Sequence, residues 1–431
     1  MPAATIPTTS RARAAPALSK LARLLLLLPT TSYRVGDFLS AARRLDVDVV
    51  VGSDQPPVLE QYAAGHTVTL DFTDLVKGVG QIAAFARDFP LTAIIGVDDG
   101  TTVLAAMASD ALGLVHNSPE SVVATRDKYR FRATLANAGP PAPSFQQFNL
   151  DHDPAEAARA APYPCVLKPV ALAASRGVIR ANNETEFTAA FERISRILEE
   201  PDVAAVGAAA QRILVESFIP GQEVALEGLL DDGELHVLAL FDKPDPLDGP
   251  FFEEIIFVTP SRHRQEIRDA IVATAQQAVA ALGLRHGPIH AEFRINSDGV
   301  WPLEVAARSM GGLCARVLTF GAGVALEDLI LRHALGLPVD SMDRDSQPAG
   351  VMMIPTPRAG ILRSVDGVEA ARAVPGIDSV TISIPLGQPV TPPPEGTRYL
   401  GFIFARGDTP GDAEAALRQA HECLKIAIEP A

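Results

Sequence analysis

The sequence predicts an α/β protein with a parallel sheet in its N-terminal part and smaller α+β units after it. Three observations predict this class. Apolar strand patterns alternate with helical patterns up to about residue 117, as in parallel sheets covered by helices. A tight hairpin lies between His290 and Glu304. Short strands and a last helix follow a break near residue 347. The 431 residues are enough for two or three domains with apolar cores.

Composition narrows the range of functions. Hydrophobic residues make up 47% and charged residues 21%, which is ordinary for a soluble globular protein. The formal charge of −15 argues against nucleic acid as a partner, because such binding requires basic patches. A small anionic substrate stays compatible with it. Three distant cysteines, Cys165, Cys314 and Cys423, suggest a reducing, cytoplasmic setting.

The N-terminal domain is expected over residues 21–117, behind a flexible tail at residues 1–20. The run Leu24–Leu28 is shorter than the apolar part of a signal peptide and lacks a cleavage site, so we interpret it as a buried strand. No stretch reaches the ~20 apolar residues of a membrane span. The further predicted elements of this Rossmann-like unit are a helix at Val35–Leu45, strands at Val47–Val51 and Ala93–Val97, and a helix that ends at Leu112.

A second unit begins with a helix cap at Ser118-Pro119 and a basic helix that carries Lys128. The segment Gly139–Pro143 ends that helix. We expect two later strands to form an antiparallel pair across Pro220-Gly221. The predicted elements are a strand at Pro164–Pro169, a loop at Ala171–Val178, a helix at Glu184–Leu198, strands at Arg212–Ile219 and Glu223–Leu230, and a long helix within Pro260–Leu282.

The hairpin places a carboxylate on each of two neighbouring strands. If Ser297–Gly299 forms a three-residue loop, Asn296 faces Val300 and Glu292 falls opposite Glu304. Opposed like charges destabilise a sheet. A divalent cation held by carboxylate oxygens would offset that cost. The alternative is a slipped register that leaves one glutamate in water.

Lys168 lies inside an apolar strand, and a loop of small residues follows it. Such loops let backbone N–H groups approach phosphate oxygens. The alternative for Lys168 is a strand-end lysine whose ammonium lies in water. Downstream, Glu223 and Glu227 share one face of a strand, either toward a site or toward solvent.

Arg308 follows the second hairpin strand. A cation at that point could stabilise negative charge on a transferred phosphoryl group; an ordinary surface salt bridge is the alternative. Gly311-Gly312 predicts a flexible turn beside it. After a linker at Gln347–Gly350, a small α+β domain is expected over residues 347–431. Its predicted elements are strands at Val351–Ile354, Ser379–Ile384 and Tyr399–Ala405, and a helix from Asp412 to about Leu424.

These motifs occur in a familiar order. The chain resembles ATP-grasp carboxylate–amine ligases, and in particular the L-amino acid ligases, or dipeptide synthetases. The residues that carry the resemblance are Lys128, Lys168, Ser175-Arg176-Gly177, Glu216, Glu223, Glu292 and Glu304-Val305-Ala306-Ala307-Arg308. It implies an ATP-grasp fold, with an N-terminal Rossmann-like domain, an ATP-grasp domain at 118–340 whose lid spans about 140–212, and a C-terminal ligase domain at 347–431.

The resemblance implies that Lys128 and Lys168 contact ATP phosphates. It implies that the loop with Ser175, Arg176 and Gly177 closes over the triphosphate as a lid. An adenine hinge and a ribose contact are implied for Glu216, Ser217, Phe218, Ile219 and Glu223.

By the same resemblance, Glu292 and Glu304 bind Mg²⁺, or alternatively Mn²⁺, and Arg308 steadies the acyl phosphate and the tetrahedral intermediate. The long connection Phe241–Glu254 falls where related ligases contact substrate. The residues expected to contact substrate are Glu254, which would hold an ammonium group, His290, Gly311 and Gly312. A plain surface carboxylate is the alternative for Glu254.

The chain departs from the family pattern at two points. Many relatives carry asparagine where this chain has Ala306, so a metal ion would have fewer protein ligands and more water. The phosphate loop contains Ala173 and Ala174 in place of some glycines. Either the lid is stiffer for that reason, or Arg176 supplies charge in their place.

The implied activity is ATP-dependent amide formation between a small-molecule carboxylate and an amine through an acyl phosphate, with release of ADP and phosphate. A biotin-carboxylase-like or purine-pathway ligase of the same superfamily would share the ATP motifs. A non-catalytic ATP-binding regulatory protein is the alternative from another class. Analogy with related ligases suggests a homodimer.

Overall fold

The computed structural model describes residues 22–56, 65–204, 207–321 and 323–430, so the predicted N-terminal tail lies outside the described residues. The described strands form an N-terminal parallel sheet, a lid sheet, a large antiparallel sheet, a small C-terminal sheet and a short two-stranded ribbon. None of the described helices has the length and apolarity that a membrane crossing needs.

The N-terminal domain is a parallel sheet with the strand order β3-β2-β1-β4. The predicted leucine strand is buried on both faces, because Leu24 and Leu26 pack into one apolar cluster and Leu25 and Leu27 into another. The elements are β1 Arg23–Leu27, α1 Val35–Leu45, β2 Asp48–Ser53, β3 Thr67–Thr69, α2 Leu75–Asp88, β4 Ala93–Gly96 and α3 Asp99–Leu112. Asp98 and Asp99 therefore lie at the carboxyl edge of this sheet, where open α/β sheets place their ligands.

The basic helix predicted after residue 118 is two helices, α4 Pro119–Arg126 and α5 Lys128–Ala138. Asp127 separates them, because its extended backbone ends α4 and its carboxylate caps α5 by accepting from the Arg130 N–H at 3.0 Å. Lys128 consequently opens a helix, and its side chain faces the strand and loop that follow.

The lid sheet has the order β5-β8-β6-β7. Its elements are β5 Phe145–Asn149, α6 Pro154–Ala160, β6 Cys165–Pro169, β7 Ile179–Ala181, α7 Glu184–Leu198, α8 Pro201–Ala204 and β8 Arg212–Ser217. The strand after Pro220-Gly221 belongs to another sheet, so the expected antiparallel pair with β8 is wrong. A Cβ at Gly221 would lie 2.2 Å from the Ile295 carbonyl oxygen, and this close approach directs the chain into the large sheet.

The large antiparallel sheet has the order β13-β12-β9-β10-β11-β16-β20-β18. Its central elements are β9 Gln222–Asp231, β10 Glu234–Asp242, β11 Ile256–Thr259, α9 Gln265–Leu282, β12 Gly287–Asn296, β13 Gly299–Ala306, β14 Thr319–Phe320, β15 Val324–Ala325 and α10 Leu326–Ala334. The interpretation of Gln347–Gly350 as a linker is wrong in part, because Ala349 and Gly350 open a strand that pairs with Thr259 and Val258.

The C-terminal segment therefore shares a sheet with the centre of the molecule. Its elements are β16 Ala349–Ile354, β17 Gly360–Asp366, α11 Val368–Arg372, β18 Ile377–Ile382, β19 Pro389–Val390, β20 Gly401–Arg406, α12 Pro410–Glu422 and β21 Lys425–Glu429. A small sheet of order β19-β17-β21 adds to it. An apolar cluster from both β11 and this segment, including Val258 and Leu417, joins the two parts.

The hairpin β12–β13 pairs Glu292 with Glu304, as predicted, but its loop and its register near the loop differ from the prediction. Its loop is one residue shorter than predicted, because Asn296 pairs with Gly299. A bulge at Leu303 then adds one residue to β13 and restores the predicted opposition of the two glutamates. The shorter loop and the bulge therefore compensate for each other at Glu292 and Glu304.

Candidate active site

A cleft of about 740 Å³, open to solvent, lies between the lid sheet and the large sheet. Residues predicted for ATP, metal and substrate line it from both sides. The predicted residues in its wall are Lys128, Lys168, Ser175, Glu216, Ser217, Phe218, Ile219, Glu223, Glu254, Glu292 and Glu304. The wall also contains Arg294, Phe252 and apolar side chains such as Val166 and Leu303. The structure thus brings together residues that are nearly 180 positions apart in sequence.

Lys168 projects from β6 into the cleft and is held by Glu216. Its Nζ lies 2.7 Å from Glu216 Oε2, and Arg132 donates to both oxygens of the same carboxylate at 2.6 and 3.2 Å. Burial would raise the pKa of Glu216, but Arg132 and Lys168 outweigh it and lower the pKa to about 2. Glu216 is therefore an ionised anchor whose carboxylate is held by Arg132 and Lys168.

Lys128 reaches the cleft from α5. Its ammonium donates to the Leu172 carbonyl oxygen, and its backbone N–H donates to the Val170 carbonyl oxygen at 3.0 Å. Burial lowers the pKa of Lys128, while the Glu304 carboxylate acts against that shift. A lysine from a helix and a lysine from the lid thus face one space.

The predicted phosphate loop has a tight backbone. Ala174, Ser175 and Gly177 have positive φ angles of 53°, 54° and 73°. A Cβ at Gly177 would lie 2.6 Å from Pro169 Cγ, so glycine is required at this point. Ser175 lines the cleft, but the Arg176 guanidinium turns away to Glu200 at 2.6 Å and Asp202 at 2.8 Å. In this structure Arg176 therefore does not supply charge to the cleft.

A lysine that the sequence analysis missed lies beside the paired glutamates. The Lys243 Nζ contacts Glu223 at 2.8 Å, Glu254 at 2.6 Å and Glu292 at 2.8 Å. Burial alone would lower the pKa of Lys243, but these three carboxylates raise it well above its usual value. Lys243 directly follows β10, inside the predicted substrate connection Phe241–Glu254, and the charged pair Asp242-Lys243 at the end of an apolar strand was the available signal.

Two of the carboxylates around Lys243, those of Glu254 and Glu292, have pKa values shifted in opposite directions. Burial, followed by the repulsion of Glu292, raises the pKa of Glu254 to about 8. Burial also acts to raise the pKa of Glu292, but Lys243 and His290 outweigh it and lower that pKa well below its usual value. Neighbouring carboxyl groups with separated pKa values are typical of functional sites.

His290 lies two residues before Glu292 on β12, on the same face of the strand but outside the wall of the cleft. Its Nδ1 contacts Glu227, and its Nε2 lies 3.2 Å from Glu292 Oε1. Burial would lower the pKa of His290, but Glu227 and then Glu292 raise it to about 9. The imidazolium therefore holds Glu292 from the side away from the cleft. Glu227 also accepts a hydrogen bond from the Met310 N–H at 3.1 Å.

Arg308 lies beyond the end of β13, outside the cleft wall. Its Nη2 contacts Asp99 Oδ2 at 2.6 Å, and its Nη1 donates to the Ser309 carbonyl oxygen at 2.9 Å. Burial opposes the charge of Arg308, but Asp99 and then Glu304 raise its pKa. Gly311 and Gly312 follow in the same loop and also lie outside the cleft wall; Gly312 has a φ angle of +61°.

Arg294 is a further cleft residue that the sequence analysis missed. It donates to the Ile219 carbonyl oxygen at 2.8 Å and to Glu223 Oε2 at 3.1 Å, and its guanidinium lies 5.0 Å from the Phe218 ring centre. It therefore supports the predicted hinge and the predicted ribose carboxylate. Strand alternation from Glu292 could have identified it, since the two residues share a face.

Comparisons with known protein families agree with this geometry. Residues 161–317 match the ATP-grasp domain, and residues 352–429 match the L-amino acid ligase C-terminal domain 2. The chain therefore contains an ATP-grasp domain. Within that class it combines the nucleotide-binding domain with the C-terminal domain of L-amino acid ligases, so the predicted family and fold are confirmed.

Individual relatives point the same way. The crystal structure of an L-amino acid ligase from Bacillus licheniformis is similar with a TM-score of 0.80 and 25% identity, covering 96% of this chain and 100% of that chain. Dapdiamide A synthase from Enterobacter agglomerans is 29% identical over 231 residues, which make up 52% of each chain. This chain thus matches about half the length of that curated relative.

A purine-pathway structure shares the fold more distantly. The N5-carboxyaminoimidazole ribonucleotide synthetase from Thermotoga maritima has a TM-score of 0.67 at 17% identity, covering 95% of this chain and 100% of that chain. At this identity the likeness concerns the fold alone.

Proposed function

We propose that this protein is an ATP-dependent ligase that joins the carboxylate of an amino-acid-like substrate to an amine through an acyl phosphate. One observation carries the proposal. Lys128 and Lys168 face Glu292 and Glu304 across one cleft, in a chain that ends in an L-amino acid ligase C-terminal domain. The proposed substrates are small molecules.

The nucleotide would lie along the cleft. Lys128 and Lys168 would contact its phosphates, and the loop at Ser175 would cover them with backbone N–H groups. Its base would meet the main chain from Ser217 to Ile219. Glu223 would accept from the ribose, since Lys243 and Arg294 each take one of its oxygens and every carboxylate oxygen has a second lone pair.

The pair Glu292 and Glu304 fits Mg²⁺ or Mn²⁺ by its chemistry. Both described hydrogen bonds of Glu292 end on Oε1, which leaves Oε2 for a cation. Mg²⁺ prefers carboxylate oxygens and keeps several waters, so Ala306 is compatible with it. Bound by these residues, the ion would neutralise phosphate charge as a Lewis acid.

The chemical step needs positioning and charge neutralisation more than covalent help from the protein. A substrate carboxylate oxygen attacks the γ-phosphorus, ADP leaves, and the amine then displaces phosphate from the acyl carbon. Lys128 and Lys168 would hold the phosphates in line. Arg308, which Asp99 keeps charged, would stabilise the oxyanions, and the lid would exclude the water that hydrolyses acyl phosphates.

Glu254 is proposed to hold a substrate ammonium group. Burial raises the pKa of this carboxyl to about 8, and a cation beside it would favour the charged form. His290 would act indirectly, by holding Glu292, and the Gly311-Gly312 turn would border the acyl end of the site. Three free cysteines support a reducing compartment such as the cytoplasm, and a homodimer stays a proposal by analogy.

The alternatives have less support. Biotin-carboxylase-like and purine-pathway enzymes share the fold, but the C-terminal domain matches L-amino acid ligases. A non-catalytic ATP-binding protein would have no use for a buried arginine next to paired carboxylates.

The test is a turnover assay with MgATP and amino acids, offered singly and in pairs, with ADP, phosphate and condensed products measured. ADP release that depends on a pair, with a matching amide product, supports the proposal. Bicarbonate-dependent release would indicate a carboxylase, and no turnover with any substrate would indicate a binding protein.

A matched pair of variants tests the site assignment. Glu304→Gln should lower turnover by about 10²–10³-fold, the usual scale for one charge-stabilising group. Glu234→Gln, at an exposed position of the same sheet, should leave turnover unchanged. A normal turnover rate in Glu304→Gln would contradict the assignment of Glu304 to the site.

A further inference from the structure

We propose that Asp99, in the N-terminal domain, is a positioning residue that holds Arg308 toward the reacting groups. This inference rests on the proposed function, since it gives Arg308 its task. Asp99 was not among the predicted site residues, and it lies outside the cleft wall. It would act on the reaction indirectly, through Arg308.

Asp99 lies between two guanidinium groups. Asp99 opens α3, immediately after the carboxyl end of β4. Its Oδ2 lies 2.6 Å from Arg308 Nη2, and its Oδ1 lies 3.0 Å from Arg126 Nη1. The Asp99 and Arg308 side chains are only 16% and 12% exposed. A partly buried carboxylate between two guanidinium groups forms charge-assisted bonds of the stronger kind.

Arg308 has more N–H donors than its described bonds use. A guanidinium has five N–H donors, and the described bonds of Arg308 to Asp99 and Ser309 use two of them. Its other N–H groups stay available for an oxyanion. Asp99 therefore fixes the orientation of the planar group without consuming its capacity to bind the substrate.

Asp99 is also linked to the predicted phosphate loop through Arg126. Arg126, the other partner of Asp99, donates to the Ala171 carbonyl oxygen at 3.3 Å, and Lys128 donates to the next carbonyl, that of Leu172. Asp99 thus stands between the arginine proposed for the acyl end and the start of the loop proposed for the phosphates.

The electrostatics agree with this geometry. Burial would raise the pKa of Asp99, but Arg308 and Arg126 outweigh it and lower the pKa below its usual range. The carboxylate therefore stays charged across the physiological range. Replacing it by a neutral amide would leave Arg308 near Arg126 with the countercharge removed.

The chain offers a matched control. Asp37 forms a bidentate pair with Arg316, both contacts at 3.0 Å, and this pair also joins the N-terminal domain to the rest of the chain. Neither residue lies in the cleft wall. Asp37→Asn therefore removes the same kind of interdomain bond without touching the proposed site.

The first experiment compares Asp99→Asn and Asp37→Asn in steady-state assays of amide formation. We expect kcat of Asp99→Asn to fall by about 10²-fold, the effect of misplacing a group by roughly 1 Å. Its KM for ATP should change less than threefold, because Lys128 and Lys168 keep their own contacts. Asp37→Asn should keep the wild-type kcat. Normal kcat in Asp99→Asn, or an equal loss in both variants, would overturn the proposal.

The second experiment does not depend on activity. Arginine side-chain ¹⁵N NMR of the full chain, with the signal assigned by Arg308→Lys, reports rotation of the guanidinium. We expect slow rotation in the wild type and in Asp37→Asn, and fast rotation in Asp99→Asn. Unchanged rotation in Asp99→Asn would overturn the positioning role. If the wild type joins no amino acids, the proposed function fails, while this measurement still decides whether Asp99 holds Arg308.

Discussion

At the residue scale, Lys243 explains how several carboxylates can lie together in the cleft. Ligand oxygens of Glu223, Glu254 and Glu292 lie within 4.8 Å of one another. Such an arrangement would be strongly repulsive without a cation. The Lys243 ammonium contacts all three, at 2.6 to 2.8 Å, and is nearly inaccessible to solvent. The lysine is therefore the internal countercharge of this acidic cluster.

Removing that charge should be costly. Lys243→Met is expected to lower the free energy of unfolding by about 3–5 kcal/mol, because it removes the countercharge shared by three neighbouring carboxylates and takes away the ion-pair partner of Glu254. Denaturant unfolding measures the loss. Mg²⁺ should raise the melting temperature of this variant more than that of the wild type, since the three carboxylates can then hold the ion.

Lys425→Met is the control, because Lys425 is an exposed lysine on β21. It should unfold like the wild type and show the same response to Mg²⁺. Equal stability of Lys243→Met and Lys425→Met would contradict the countercharge role.

The sequence predicts some of these residues and not others, for a physical reason. Glu292 and Glu304 belong to one hairpin, so strand alternation and a short loop suffice to pair them. Lys243 meets Glu292 across 49 residues, and Asp99 meets Arg308 across 209. Only the packing of separate elements brings such partners together. The direction of Arg176 likewise depends on the acidic residues Glu200 and Asp202, which are distant in sequence.

At the element scale, the phosphate loop is attached to the C-terminal segment. The Gly177 N–H donates to the Pro394 carbonyl oxygen at 2.8 Å. Next to it, Arg193 on α7 forms two bonds with Glu395, at 2.6 and 2.9 Å. The loop around Pro394 therefore fastens the predicted lid as a strap, and an opening of the lid would have to break these contacts.

The strap can be tested by hydrogen exchange. Glu395→Gln should speed amide exchange in residues 171–178 about twofold to fivefold, because a partly exposed ion pair contributes about 0.5–1 kcal/mol. Glu429→Gln breaks the Arg363–Glu429 pair inside the C-terminal segment and should leave that loop unchanged. Equal exchange in both variants would contradict a strap.

Element boundaries show where sequence patterns were sufficient. The helices Val35–Leu45 and Glu184–Leu198 have the predicted ends, because apolar periodicity defines both and an Asn183 cap marks the start of the second. The division at Asp127 was missed, since a basic stretch without a glycine or proline gives no break signal. The bulge at Leu303 was missed because it depends on pairing with β12.

At the scale of the whole molecule, three parts of the chain support one site. The N-terminal domain contributes Asp99 and the buried Arg34, which contacts Glu327 at 2.6 Å and the Met310 carbonyl oxygen at 2.6 Å. The lid contributes Lys168, and the large sheet contributes the carboxylates. Because the C-terminal strands extend that sheet, the ligase-type terminal domain and the proposed ATP site share one scaffold.

The overall class was accessible from sequence because ATP-grasp motifs keep a fixed order along the chain. The shared sheet was not, because the pairing of β11 with β16 joins strands about 90 residues apart and leaves no local pattern. The residues that contact nucleotide and metal stay predictions. They depend on a ligand whose position a sequence pattern cannot supply.

The central claim is that the cleft activates a carboxylate by phosphorylation. It is tested most directly by turnover with an amino acid labelled with ¹⁸O in its carboxylate, followed by mass spectrometry of the released phosphate. An acyl-phosphate route transfers one labelled oxygen from the carboxylate to phosphate, and we expect phosphate with one ¹⁸O for each amide formed. Unlabelled phosphate, or AMP and pyrophosphate in place of ADP and phosphate, would contradict the account.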